Sequence, residues 1–125
     1  MAHSERKKIL VIDDSETNLL LLRAVLEDAG YDVELLDDSQ KAVAYIDNYQ
    51  PDLILLDLLM PGMDGFEFMH KIHQDTSKTG FPIVVVTAYD SQDNKQKAKD
   101  LGAVDVINKP IDISSFLDKV EQIVN

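Results

Sequence analysis

Cysteine is absent from this 125-residue chain, so neither a disulfide framework nor thiol chemistry is available to it. Long apolar runs are absent too. None approaches the roughly 20 residues that span a bilayer, which excludes a transmembrane helix and leaves no sign of membrane attachment. The stretch Met1 to Lys8 contains basic residues, but the apolar run after it is only Ile9 to Ile12, too short for a signal-peptide core. A cytoplasmic protein is expected. Positive charge is scarce: 12 Lys and Arg stand against 23 Asp and Glu, for a net charge of −11. That balance disfavours direct nucleic-acid binding, because phosphate backbones need a basic patch. It identifies no partner, since net acidity also simply keeps a domain soluble. There is no internal repeat, linker or low-complexity tract, and the length predicts one domain, residues 1–125, large enough for a real core.

What is present is organised around Leu53-Ile54-Leu55-Leu56-Asp57-Leu58-Leu59-Met60-Pro61-Gly62-Met63-Asp64-Gly65. Four apolar residues after Pro51 read as a strand buried on both faces. A charge inside such a strand is costly, so Asp57 belongs at its open C-terminal end. Pro61 and Gly62 stop the strand, and Asp64 can cap a helix whose apolar face is Phe66, Met69 and Ile72. Taken alone, Asp57 would be an ordinary solvated strand-end aspartate.

The rest of the chain repeats the alternation. Lys8 to Ile12 is an apolar strand ending in Asp13-Asp14, and Ser15 or Asp14 can cap a helix with Leu19, Leu22, Leu26 and Ala29 inward, ended by Gly30. Asp32 to Leu36 alternates in part and suits an edge strand. Ser39 opens a helix with Ala42, Val43 and Ile46 inward, which runs out before Pro51. Pro82 leads into the β-branched strand Ile83 to Thr87. The helix from about Ser91 to Leu101 offers only Ala98 and Leu101 to a core, so it is a candidate for mobility. Val104 to Asn108 is the last strand. Asp112 can cap a final helix with Ile113, Phe116, Leu117, Val120 and Ile123 inward.

Five strands alternating with five helices predict an α/β fold: a parallel sheet, doubly wound, with right-handed crossovers. The charge-free strands should be central and those holding Glu34 and Asp105 should be edges, which is the order 2-1-3-4-5. Ligands of such sheets bind where the winding reverses, at the carboxyl ends of strands 1 and 3. Asp13, Asp14 and Asp57 then share one rim with Thr87 and Lys109. Two unit charges about 4 Å apart repel by roughly 4 kcal/mol at an effective dielectric near 20. A hard divalent cation removes that repulsion, and an all-oxygen, half-open site suits Mg²⁺. Asp57 beside a cation, a hydroxyl and an ammonium is arranged for phosphoryl transfer to an aspartate.

Asp13-Asp14, the Leu55 to Gly65 block, Thr87-Ala88 and Gly102-Ala103…Lys109-Pro110 closely resemble the receiver domains of two-component response regulators, over about Lys7 to Val124. Each motif alone is weak; all four in order at strand ends are specific. The resemblance implies that Asp57 is the phosphoacceptor and that Asp14 ligates Mg²⁺ directly and Asp13 through water. Asp57 and the Leu59 carbonyl would complete the protein ligands. Thr87, Lys109 and the Ala88 amide would meet the phosphoryl oxygens, and the Lys109–Pro110 bond would be cis. It further implies a phosphohistidine donor on a sensor histidine kinase or histidine phosphotransfer protein. The downstream effector would be reached through the fourth helix, fifth strand and fifth helix. Self-catalysed phosphorylation and dephosphorylation are the only chemistry expected.

Two positions depart from the usual pattern. Val106 stands where the family usually has an aromatic switch residue, and Leu59 and Tyr89 stand where many fast-cycling members have polar side chains. Two rival classes are weaker. A haloacid-dehalogenase-type phosphatase needs an acid two residues after the nucleophile, where Leu59 lies. A flavin-binding module needs a phosphate-cradling loop after strand 1, where Asp13-Asp14 would repel the phosphate. A receiver-like domain that is never phosphorylated is the remaining alternative. His3, His70 and His73 read as surface residues.

Overall fold

The computed structural model describes residues 6–60, 62–74, 80–89 and 91–125. Five strands, β1 (Lys8–Ile12), β2 (Asp32–Leu36), β3 (Leu53–Leu56), β4 (Ile83–Thr87) and β5 (Asp105–Asn108), alternate with five helices. These are α1 (Glu16–Asp28), α2 (Ser39–Tyr49), α3 (Gly65–Gln74), α4 (Gln92–Asp100) and α5 (Ile113–Val124). The sheet is parallel in the order β2-β1-β3-β4-β5, as the distribution of charged strands predicts.

The period of two along each strand sorts the core into two layers. Leu10, Ile12, Ile54, Leu56, Ile83 and Val85 meet α2, α3 and the single buried residue of α4, Ala98. Ile9, Val11, Leu53, Leu55, Val84 and Val86 meet α1 and α5 on the other face. Each such side chain taken out of water contributes about 1.5–3 kcal/mol, and the buried runs of the three central strands carry no charge.

Register sets the functional rim. Ile12 pairs with Leu36 and with Leu56, Leu56 pairs with Val85, and Thr87 pairs with Asn108. The next amides continue the ladders, Asp57 N donating to Ile12 O at 3.0 Å and Lys109 N to Thr87 O at 3.0 Å. Asp13, Asp57, Thr87 and Lys109 therefore leave the sheet at nearly one level.

Local signals differ from expectation in a few places. Ser15, not Asp14, caps α1, and Ala29 is its exposed C-cap. Asp38 caps α2, with Ser39 as its first residue. On α3 the buried residues are Gly65, Phe68, Met69 and Ile72, spaced i, i+3, i+4 and i+7. Phe66 lies about 100° round the helix and is half-buried. On α5 the buried stripe is Phe116, Val120 and Val124, and Ile113 is 48% exposed beside a hollow that Lys109, Pro110 and Ile111 also line. β5 starts at Asp105, leaving Val104 exposed. The turn assigned to Pro61 and the reading of His3 lie outside the described residues; Gly62 has φ +80°, a left-handed conformation that suits glycine. Among the described residues no helix is long and apolar enough to cross a membrane.

Candidate functional site

β1 ends in Asp13 and Asp14, β3 in Asp57, and one carboxylate oxygen from each lies within 4.8 Å of the others. Asp13 and Asp57 are buried, at 2% and 8% exposed, while Asp14 opens to solvent. Lys109 Nζ lies 2.7 Å from Asp13 Oδ2 and 3.4 Å from Asp57 Oδ2. The peptide bond that follows it, Lys109–Pro110, is cis. Asp13 is held from its other side by the Ser15 amide, which donates to Oδ1 at 2.9 Å. Thr87 is buried, and its Oγ1 accepts from the Tyr89 amide at 3.0 Å. Ala88 is exposed at the rim between them.

One lysine does not neutralise three carboxylates. Burial, and after it the charge of Asp13, raise the Asp57 carboxyl above its ordinary value; Lys109, the Thr87 hydroxyl and the Leu59 amide pull the other way and lose. The group is strained as an anion in a place where a strand-end aspartate would normally be comfortable. All available donors are hard oxygens on a half-open rim, which fits Mg²⁺ and no softer metal.

The response regulator receiver domain pattern matches residues 9–121. The chain belongs to the response regulator receiver family. Protein PilH of Pseudomonas aeruginosa is 32% identical over 116 residues, 93% of this receiver and 96% of PilH. Response regulator PleD of Caulobacter vibrioides is 41% identical over 105 residues, 84% of this receiver but only 23% of PleD. The receiver thus spans less than a quarter of one curated relative and nearly all of another. Among solved structures, the Vibrio cholerae chemotaxis protein CheY4 superposes with a TM-score of 0.88 at 31% identity, covering 95% of this chain and 99% of that one.

The rim brings together Asp13, Asp14, Asp57, Thr87 and Lys109 of the residues read from the sequence. Leu59 and Tyr89 flank the rim and are each 51% exposed. Val106 is half-buried in β5 against the α2–α3–α4 layer. Two features were not anticipated. One is the Lys109–Asp13 pair, which is shorter than the Lys109–Asp57 contact. The other is Gly65. Its backbone is helical, so any residue could adopt it, yet a Cβ there would fall 2.5 Å from Asp57 O and 2.8 Å from Leu58 Cα. Gly65 N also donates to Leu58 O at 3.0 Å, which ties the start of α3 to the residue after Asp57. A glycine opening a helix with no conformational need for it was the available signal.

Two outcomes follow from this geometry. Helix propensity favours alanine over glycine by about 1 kcal/mol, but overpacking against backbone costs roughly 1–3 kcal/mol. Gly65→Ala is therefore expected to lower Tm and to shift the Asp57 and Leu58 amide resonances; an unchanged or higher Tm with unmoved amides would reverse that ranking. Because its folded-state pKa is raised, ionised Asp57 costs stability above that pKa, and the cost is relieved as pH falls through it. Asp57→Asn is thus expected to raise Tm at neutral pH in chelator. The same change should shrink the Tm gain on adding Mg²⁺, as thermal denaturation with and without the ion will report.

Proposed function

We propose that this receiver is a phosphorylation-driven switch that accepts a phosphoryl group on Asp57 from a phosphohistidine of a sensor kinase or phosphotransfer protein. The observation that carries the reading is a buried Asp57 with its carboxyl raised, 3.4 Å from Lys109 and grouped with Asp13 and Asp14. In the step, a carboxylate oxygen of Asp57 forms the new P–O bond, the donor's P–N bond breaks, and the imidazole leaves with its electron pair. Lys109 and Thr87 are placed to meet the phosphoryl oxygens, with the Ala88 amide beside them. Asp13, Asp14 and Asp57, with the Leu59 carbonyl, would hold Mg²⁺. When bound, that ion supplies the positive charge that the carboxylates and the transferred group lack.

The route to output runs through Thr87. Its Oγ1 now accepts from the Tyr89 amide, and the Tyr89 carbonyl accepts from Asn94 Nδ2 of α4 at 3.3 Å. Drawing Thr87 toward a phosphoryl group breaks the first bond and drags the second. α4 buries Ala98 alone, so it follows at low cost. Val106 offers no ring to rotate, and displacement of the loop and α4 takes that place. The effector then engages the face made by α4, β5 and α5.

Incubation with Mg²⁺ and acetyl phosphate is expected to add one phosphoryl group by intact mass, and chelator or Asp57→Asn to abolish the gain. Full labelling of the Asp57→Asn chain would show another acceptor. Lifetime is set at the mouth of the site, where water must attack opposite the Asp57 oxygen. Leu59 cannot hydrogen-bond that water and Tyr89 is bulky enough to shield the phosphoryl group. Leu59→Asn combined with Tyr89→Glu is therefore expected to speed loss of phosphate, by about tenfold or more, without preventing its gain. Equal decay of parent and double variant at equal Mg²⁺ would remove these side chains from the account.

A further inference from the structure

On the side of α4 away from β5 and α5 lies a surface that the switch reading leaves unused. A hollow of about 420 Å³ between α3 and α4 has an apolar floor of Met63, Phe66 and Leu101 and a rim that includes His70 and Lys71. A second, of about 410 Å³, lies between α2 and α3 over Val43 and Ala44, and Met63 and Lys71 line it as well. Sharing Met63 and Lys71, the two hollows adjoin beside α3 and are taken together as a trough.

The charge at the trough is not that of the molecule. Among the described residues Lys71 lines it and Lys97 stands over its floor, against Glu67, a local excess of one positive charge in a chain of net charge −11. The one carboxylate among the described residues that line the trough, Glu67, is turned to the start of its own helix, where it accepts from the Asp64 amide at 3.3 Å. Lys97 Nζ stands 4.4 Å from the centre of the Phe66 ring, so α4 lays an ammonium over the apolar floor.

We propose that this trough is a second docking site, for a partner-protein segment in which carboxylates flank one bulky apolar side chain. The apolar side chain enters between Met63, Phe66 and Leu101, and the carboxylates meet Lys71 and Lys97. Net charge at a distance opposes an acidic partner, but at about 0.1 M salt the field of the remaining acidic surface is screened beyond about 10 Å, so the local excess decides at contact. The inference rests on the switch reading in one respect: an α4 displaced with Thr87 carries Lys97 off the Phe66 ring and opens the trough, which ties docking to phosphorylation.

The test is titration of three synthetic peptides into the ¹⁵N-labelled full chain with Mg²⁺, with and without beryllofluoride. One peptide has a central Phe flanked by Asp and Glu, one has the same Phe flanked by Lys, and one has the acidic flanks with Ser in place of Phe. The acidic Phe peptide alone is expected to shift the Phe66, Lys71 and Leu101 amides, more tightly with beryllofluoride. Lys71→Glu with Lys97→Glu, both solvent-facing changes, should weaken it by about tenfold. Equal binding of the Lys-flanked peptide, shifts confined to other helices, or no shift at millimolar peptide would overturn the assignment. Concentration-dependent shifts of these amides without peptide would make a second copy of the chain the occupant and also overturn it. Beryllofluoride that leaves the Asp57 and Thr87 amides unmoved would instead count against the switch reading, with the trough still judged from the titrations without it.

Discussion

Three carboxylates and one ammonium at the open edge of a parallel sheet set the terms for the whole molecule. Asp13 and Asp57 follow adjacent strands, and Asp14 completes the group. Lys109 reaches them from the end of β5, across the width of two strands. Burial, and after it the charge of Asp13, raises the Asp57 carboxyl, and a divalent cation held at this rim would relieve that cost. The buried strands beneath hold these charges at fixed distances, which a loop-borne cluster would not.

Most of the fold was legible because the signals were strong and redundant. Ile9 to Ile12, Leu53 to Leu56 and Ile83 to Val86 carry no charge and lie at the centre of the sheet, while Glu34 and Asp105 mark the edges. Helix phase was less legible where apolar residues are adjacent. Phe66 and Phe68 both offer a ring to the core, and Phe68 is the one on the buried face that Gly65 shares. At α5 the periodicity could not tell Ile113, which is half exposed, from Val124, which belongs to the buried layer.

The site was legible as a set of strand ends, not as a set of contacts. Sequence order places Lys109 near Asp57, but the preference of its ammonium for Asp13, at 2.7 Å against 3.4 Å, depends on side-chain packing that no motif encodes. The Thr87–Tyr89–Asn94 chain is likewise invisible in the sequence, although the thin apolar face of α4 that lets it matter is plain there. The proposed switch rests on both: the polar composition of α4 and the hydrogen bonds that tie it to Thr87.

The central claim is that the phosphoryl group resides on the Asp57 carboxylate. It is tested most directly by treating the protein with acetyl phosphate and Mg²⁺, reducing the acyl phosphate with borohydride, and sequencing the peptides by mass spectrometry. Reduction converts an aspartyl phosphate to homoserine, so the account predicts homoserine at position 57 and nowhere else. Homoserine at Asp13, Asp14 or any other aspartate, or a phosphorylated chain that yields none, would contradict it.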